Sequence, residues 1–289
     1  MHNERPQKLE PALYVVATPI GNLRDITLRA LDVLAAADVV AAEDTRNTAH
    51  LLTHHGIGAS RLMAVHQHNE RGAAEKIVAL LQAGQSVAFV SDAGTPAVSD
   101  PGALLVQAVL AAGLRVIPIP GASAAIAALS VSGLNHPHFL FYGFLPNKSA
   151  ARRTVLESLR DHPCTLAFYE APHRIVECVA DLHAVLGGER QIVLAREITK
   201  LFETIHACRL ADAEAWLLSD SNRQRGEFVV LVSGAGPQPG LPAEVRRILE
   251  ALLGELPLKQ AVQLAAKISM ANRNDLYQLA LEIKDSRQP

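Results

Sequence analysis

The sequence predicts an α/β protein with a mostly parallel, doubly wound sheet, a second and mixed α/β unit, and a small helical module at its end. Three observations carry this. Strand, loop and helix patterns alternate about five times in the first ~120 residues, which is the signature of parallel strands with crossover helices. A second group of apolar runs follows, two of which, at 192–195 and 204–206, have no helix between them, so that half must mix strand directions. A Gly/Pro-rich stretch, 234–240, then separates off three short helical patterns.

In order, Leu13–Ala17 (LYVVA) is a short buried strand, and Thr18-Pro19-Ile20-Gly21-Asn22 breaks it. Leu28, Leu31 and Leu34 have helical spacing, with Asp25 or Thr27 as the N-cap. Val39–Ala42 is a strand ending in Glu43-Asp44-Thr45-Arg46, and a helix through Leu51 and Leu52 ends at Gly56. Leu62–Val65 is a strand ending in His66-Gln67-His68-Asn69, and the helix Ala73–Ala83 ends at Gly84, a C′ glycine. The strand Val87–Val90 opens into SDAGTPAVSDPG, residues 91–102, rich in Gly, Pro and Asp. Asp100 is expected to cap the next helix and Pro101 to start it. Val116–Ile119, Pro120-Gly121-Ala122-Ser123 and the small-residue helix Ala124–Val131 complete the first unit. The second unit reads as strands at 139–144, 165–169, 192–195, 204–206 and 228–232, with helices at 148–159, 175–186 and 213–218. Helical patterns at 243–253, 259–269 and 273–283 make the last module, which resembles a helix-turn-helix unit. The expected division is a disordered tail (1–12), an α/β domain (13–137), a second α/β domain (138–234), a linker (235–240) and a three-helix module (241–289).

Composition bounds the function. A length of 289 residues suggests about two domains. No apolar run is long enough to span a membrane, and the polar start MHNERPQKLEP has no signal-peptide core. The net charge of −2, from 27 basic and 29 acidic residues, gives nucleic-acid binding no global support, although a local basic patch would vanish in that sum. Cys164, Cys178 and Cys208 are widely separated and form no CxxC, the pattern of a reduced, cytoplasmic chain without zinc. His66 and His68 lack a third ligand, so no metal is expected.

Loops that follow parallel strands gather at the sheet's carboxyl edge, where such proteins bind small ligands. Here the Gly/Pro-rich ones follow the first, fourth and fifth strands. TPIGN matches neither a P-loop nor GxGxxG, and GAS at 121–123 lacks the flanks of a nucleophile elbow. Glu43-Asp44-Thr45-Arg46 reads equally as a polar cleft cluster or as a capped helix start. Glu170, His173 and Arg174, then Glu197 and Lys200, then Gly226 and Glu227, border strands of the second unit; each is either an ordinary cap or part of a cleft wall.

The ordered set TPIGNLRDITLRAL, AAEDTR, HNE, VSDAGTP with SDPG, PGASAAI, GFLP, FYEAPHR, ARE-TK and RGEFV closely resembles the class III, or tetrapyrrole-methylase, superfamily, and within it the RsmI family of small-subunit ribosomal RNA methyltransferases. The resemblance covers roughly residues 13–284; Ala122 stands where the family often has proline. It implies two α/β domains with S-adenosylmethionine in the cleft between them, 2′-O-methylation of a cytidine in the decoding region of 16S rRNA, a homodimer and the small ribosomal subunit as partner. The cofactor contacts it implies are Pro19, Gly21, Asp92, Gly94, Thr95, Ser123, Ala124, Tyr169, Glu170 and Gly226. Within residues 91–102 this gives Asp92–Thr95 to the cofactor and leaves Ser99–Gly102 to turn and cap. Lys200 as a neutral amine, or Glu43, is the candidate for taking the ribose hydroxyl proton, and Arg24, Arg46, Lys148, Arg152, Arg153 and Arg174 are the candidates for holding RNA. The alternatives are a tetrapyrrole or other small-molecule methyltransferase of the same fold, and a non-catalytic ribosome-binding factor.

Overall fold

The computed structural model describes residues 8–58, 61–236 and 243–285. Most of the expected tail and the last four residues of the expected linker lie outside these residues. Residues 8–12, expected as tail, are ordered against the first sheet: Leu9 packs on the core, Ala12 is fully buried, and the Tyr14 hydroxyl donates to the Glu10 carbonyl.

In the first half, β1 (Leu13–Val16), β2 (Val39–Ala42), β3 (Arg61–Ala64), β4 (Val87–Val90) and β5 (Val116–Ile119) form one parallel sheet in the order β3-β2-β4-β1-β5. Val40 and Ala42 face a core built with α1 (Leu28–Ala36) and α2 (Thr45–His54). Val39 and Ala41 face the other core, with α3 (Glu70–Gln82) and α4 (Ala103–Ala111). Both faces are thus covered, which is why the central strands are apolar without alternation. The Thr27 hydroxyl caps α1 by accepting from Ala30 N, and the Asp44 carboxylate caps α2 by accepting from Arg46 N. Helix α3 starts a turn earlier than its apolar spacing suggests, because Asn69 closes the preceding turn by accepting from His66 N at 2.9 Å.

The helix α5 (Ala124–Val131) departs from the simple alternation. Ala124, Ala128 and Leu129 pack on Ala167, Val193, Ala195, Val229 and Leu231, which belong to the second sheet. That sheet comprises β6 (Phe139–Phe144), β7 (Thr165–Glu170), β8 (Gln191–Arg196), β9 (Thr204–Arg209) and β10 (Phe228–Val232), in the order β6-β7-β10-β8-β9. Only β6 and β7 pair in parallel, so the sheet is mixed as expected. Its far face carries α6 (Ser149–Leu159), α7 (Ile175–Leu186) and α8 (Leu210–Leu218) over a core that includes Leu156, Phe168, Leu182 and Val230. All of this, through Gly234, is one compact unit.

A second unit holds α9 (Ala243–Glu255), α10 (Leu258–Ser269) and α11 (Arg273–Asp285). Val245, Leu249, Val262, Leu276 and Ile283 form its own core. Met270, in the left-handed region at φ 56°, turns the chain out of α10.

One polar cluster clamps α6 to α7. Arg152, whose side chain is 1% exposed, places Nη2 at 2.6 Å and Nε at 2.7 Å from Asp181 Oδ2. Arg153 Nε donates to Oδ1 at 2.6 Å and the Ser149 hydroxyl to the same oxygen at 3.0 Å. Burial works against the Asp181 charge, but these donors outweigh it and hold the carboxyl below its ordinary range. Removing one member of such a pair strands the other charge in the interior. Asp181→Ala should therefore lower the unfolding free energy of the α/β unit by about 3–5 kcal/mol, measured by urea denaturation followed through the fluorescence of the single tryptophan, Trp216.

Candidate functional site

Three loops at the carboxyl edge of the first sheet are tied together by hydrogen bonds. Thr18 N donates to Gly94 O at 2.8 Å and Gly94 N to Thr18 O at 3.0 Å, joining the loop after β1 to the loop after β4. The Thr95 hydroxyl donates to Ala122 O at 3.2 Å, which adds the loop after β5. Gly121 lies against Ala17 so closely that a side chain there would collide with it.

Because α5 packs on the second sheet, these loops face the ends of β7, β8 and β10. Between them lies a cavity of about 310 Å³. Gly94, Thr95, Val98, Ser99 and Asp100 form its first wall, and Ser123 and Ala124, at the start of α5, form the second. Tyr169, Glu197, Lys200 and Glu227 belong to the third wall, from the second sheet. The two halves also meet at a bulge in β6, where Gly143 (φ 82°) leaves room for the Ser99 hydroxyl that a side chain would displace.

Backbone strain marks the same place. Five non-glycine residues among those described have positive φ; Ser99 and Glu197 line the cavity, and Ala97 and Thr199 sit two residues from them in the same loops. Each such residue costs on the order of 1 kcal/mol, and such conformations concentrate at binding sites.

Of the expected cofactor contacts, Gly94, Thr95, Ser123, Ala124, Tyr169 and Glu170 line this cavity. The Glu170 side chain itself turns inward, accepting from Ala171 N at 2.8 Å and pairing with Arg174 at 3.2 Å. Pro19 and Asp92 line a smaller neighbouring cavity of about 80 Å³. The Asp92 carboxylate accepts from Asp44 N and Asn47 Nδ2, both at 3.1 Å. Gly21 lies under the Lys200 stem and Gly226 against the Glu197 carboxylate; a side chain at either would collide. Having no side chain, they leave room for Lys200 and Glu197.

Several expectations need correction. Lys200 is in the cavity wall, but its ammonium donates to Glu197 Oε1 at 2.9 Å and Glu227 Oε2 at 2.8 Å. Burial lowers its pKa, the two carboxylates raise it by more, and the net shift is upward, so it is held as a cation and is no neutral base. Glu43 stands behind the wall, accepting from Asp92 N at 3.3 Å, and lines neither cavity. Arg152 is buried on Asp181, and Arg174 is spent on Glu170 and the Leu145 and Pro146 carbonyls, so neither reaches RNA. Arg153 is half-exposed with Nε on Asp181. Arg24, Arg46 and Lys148 remain exposed, Arg46 in a fork with Asp44.

The sequence reading missed Ser99 and Asp100, assigning them to turning and capping. Both line the cavity. Burial, and then the charges of Glu43 and Asp92, push the Asp100 pKa from 3.8 up to about 6, partly offset by a hydrogen bond with Ser91. Burial also raises the Tyr169 phenol, whose hydrogen bonds run to Ala125 and Ser123. An aspartate before proline signals a cap in sequence; nothing local shows that another residue does the capping.

Residues 12–214 match the model of the Tetrapyrrole (Corrin/Porphyrin) Methylases, and residues 239–284 that of the RsmI C-terminal HTH domain. The chain is 53% identical to Ribosomal RNA small subunit methyltransferase I of Pseudomonas aeruginosa, over 93% of this chain and 96% of that one. It is 52% identical to the protein of the same name from Escherichia coli O157:H7, over 93% and 94%. Among solved structures it is similar to a uroporphyrin-III C-methyl transferase from Thermus thermophilus complexed with S-adenyl homocysteine. That likeness has a TM-score of 0.54 at 18% identity, over 77% of this chain and 97% of the other, and concerns the fold. With both α/β halves and the helical module matched, the chain belongs to the tetrapyrrole methylase family, alongside the ribosomal RNA small subunit methyltransferases I.

Proposed function

We propose that the chain methylates the ribose 2′ oxygen of a cytidine in the decoding region of 16S rRNA, with S-adenosylmethionine as donor. The observation that carries this is the cavity at the carboxyl edge of the first sheet, in a chain about half identical to small-subunit ribosomal RNA methyltransferases over nearly its whole length. The residues present fit the donor. The cavity has the size of a small-molecule site, its Gly94 and Ala124 stretches offer backbone groups, and Asp100 offers a carboxylate to a cationic ligand.

When bound, S-adenosylmethionine supplies a methyl group on a positively charged sulfur. The chain's own task would be to hold that methyl carbon in line with the ribose 2′ oxygen, the sulfur leaving with the bonding electron pair and the hydroxyl proton passing to a base or water. No covalent enzyme intermediate is needed. Fixed alignment of the reacting atoms supplies the largest part, worth about 7–11 kcal/mol in favourable cases. The strained loops and the hydrogen bonds among residues 18, 94, 95 and 122 provide that fixity. Arg24, Arg46 and Lys148 are the exposed cations left to hold the RNA backbone. The homodimer, the cytoplasmic location and the division at 137/138 belong to the same reading.

Radiolabelled methyl transfer tests it. Small subunits lacking the modification should accept label on the cytidine ribose; label reaching only a tetrapyrrole, or cofactor binding without turnover, would replace the reading. Replacing Arg24, Arg46 and Lys148 with alanine should weaken RNA binding and flatten its salt dependence, by about 0.7 in log–log slope for each phosphate that is no longer neutralised. Asp100 gives a pH test. Its charge is lost as pH falls through about 6, so donor affinity should fall there, and Asp100→Asn should bind weakly at every pH. Because the folded state raises this carboxyl, its charging cost is absent below the ordinary value of 3.8 and complete above about 6. Ligand-free Asp100→Asn should therefore melt a few degrees higher than the wild type at pH 7.5 and the same at pH 4, read by calorimetry.

A further inference from the structure

Helix α4 begins without a cap of its own. Gly102 occupies the N-cap position at φ 129° with no side chain to offer, and a side chain there would collide with the Phe89 ring. Asp100, two residues earlier, faces the cavity and bonds with Ser91 instead of capping. The free amides are satisfied from another element. Glu70 Oε1 accepts from Gly102 N at 2.9 Å, Leu104 N at 2.9 Å and Leu105 N at 3.2 Å. Glu70 is itself the first residue of α3, and it is buried. Its carboxylate therefore lies at the start of two helices, where aligned amide dipoles favour a negative charge. Asn69 pins this position from below, accepting from His66 N and donating to Ala64 O at 3.1 Å. Just before the clamp, Ala97 N donates to Pro101 O at 3.2 Å, closing the turn that carries Ser99 and Asp100.

We propose that Glu70 is a positioning residue of the donor cavity: by capping α4 from α3, it frees Asp100 from capping and holds the strained Ala97–Pro101 turn in the cavity wall. This accounts for Asn69 and Glu70 of the HNE stretch, which the reaction does not otherwise use. It rests on the donor assignment made above, so the test has one arm with ligand and one without.

The ligand arm is calorimetric titration of S-adenosylhomocysteine into wild type, Glu70→Ala, Glu70→Gln and Glu75→Ala, the last being an exposed control on the same helix. Each is measured below its melting temperature. Glu70→Ala should weaken binding tenfold or more; Glu70→Gln, which keeps an acceptor oxygen, should recover most of it; Glu75→Ala should match wild type. The ligand-free arm is amide hydrogen exchange of residues 97–105, which should quicken in Glu70→Ala while the β4 strand stays protected. Lower thermal stability with unchanged affinity and unchanged exchange at 97–102 would reduce Glu70 to a stabilising cap and overturn the proposal. Failure of the wild type to bind S-adenosylhomocysteine would instead overturn the donor assignment, and the exchange arm would still decide the role of Glu70.

Discussion

The site depends on where α5 packs. Its alanine face lies on the apolar face of the second sheet, so the turn that ends β5 is carried across to the ends of β7 and β10. Small residues permit this: Ala124 and Ala128 let the helix approach Ala167, Ala195 and Val229 closely. One helix thus covers the second sheet, orients Ser123 and Ala124, and brings two sheets of different topology to one cavity.

The loops that line the cavity are held by interactions made elsewhere. Left-handed conformations at Ala97, Ser99, Glu197 and Thr199 are each unfavourable alone. They persist because their flanks are tied down: the 91–102 loop by the Thr18–Gly94 bridge and the Glu70 carboxylate, the 197–200 loop by the Lys200 bridges to Glu197 and Glu227. A wall built in this way presents its polar groups without having to order them when a ligand arrives, which is where a positioning enzyme gains most.

Charge is distributed by the same logic. Asp181 has three donors, Glu170 has Arg174 and an amide, and Glu70 has three amides. Asp100 differs: it is half-buried near the charges of Glu43 and Asp92, with Ser91 as its hydrogen-bond partner, and its carboxyl is raised to about 6. A carboxyl raised above its ordinary range in a cavity wall is a common mark of a functional group.

The amino-acid sequence by itself determined the α/β class, the mixed second sheet, the loops that gather at the carboxyl edge and the family resemblance. Each of these is written in local periodicity or in short ordered motifs, because burial of a strand or helix face repeats every two or every three to four residues. The tertiary structure alone decided which charges face the cavity and which are tied up within the fold. Arg152 finds Asp181 29 positions away, and Glu70 finds the start of α4 32 positions away. Such partners leave no periodic trace, so Arg152 passed for an RNA contact and Asp100 for a helix cap. Lys200 passed for a base because the two carboxylates that hold it charged include Glu227, 27 residues distant. A side chain's chemistry is set by what folding brings against it, and in this chain that information lies in the packing of α3 on α4, α6 on α7 and α5 on the second sheet.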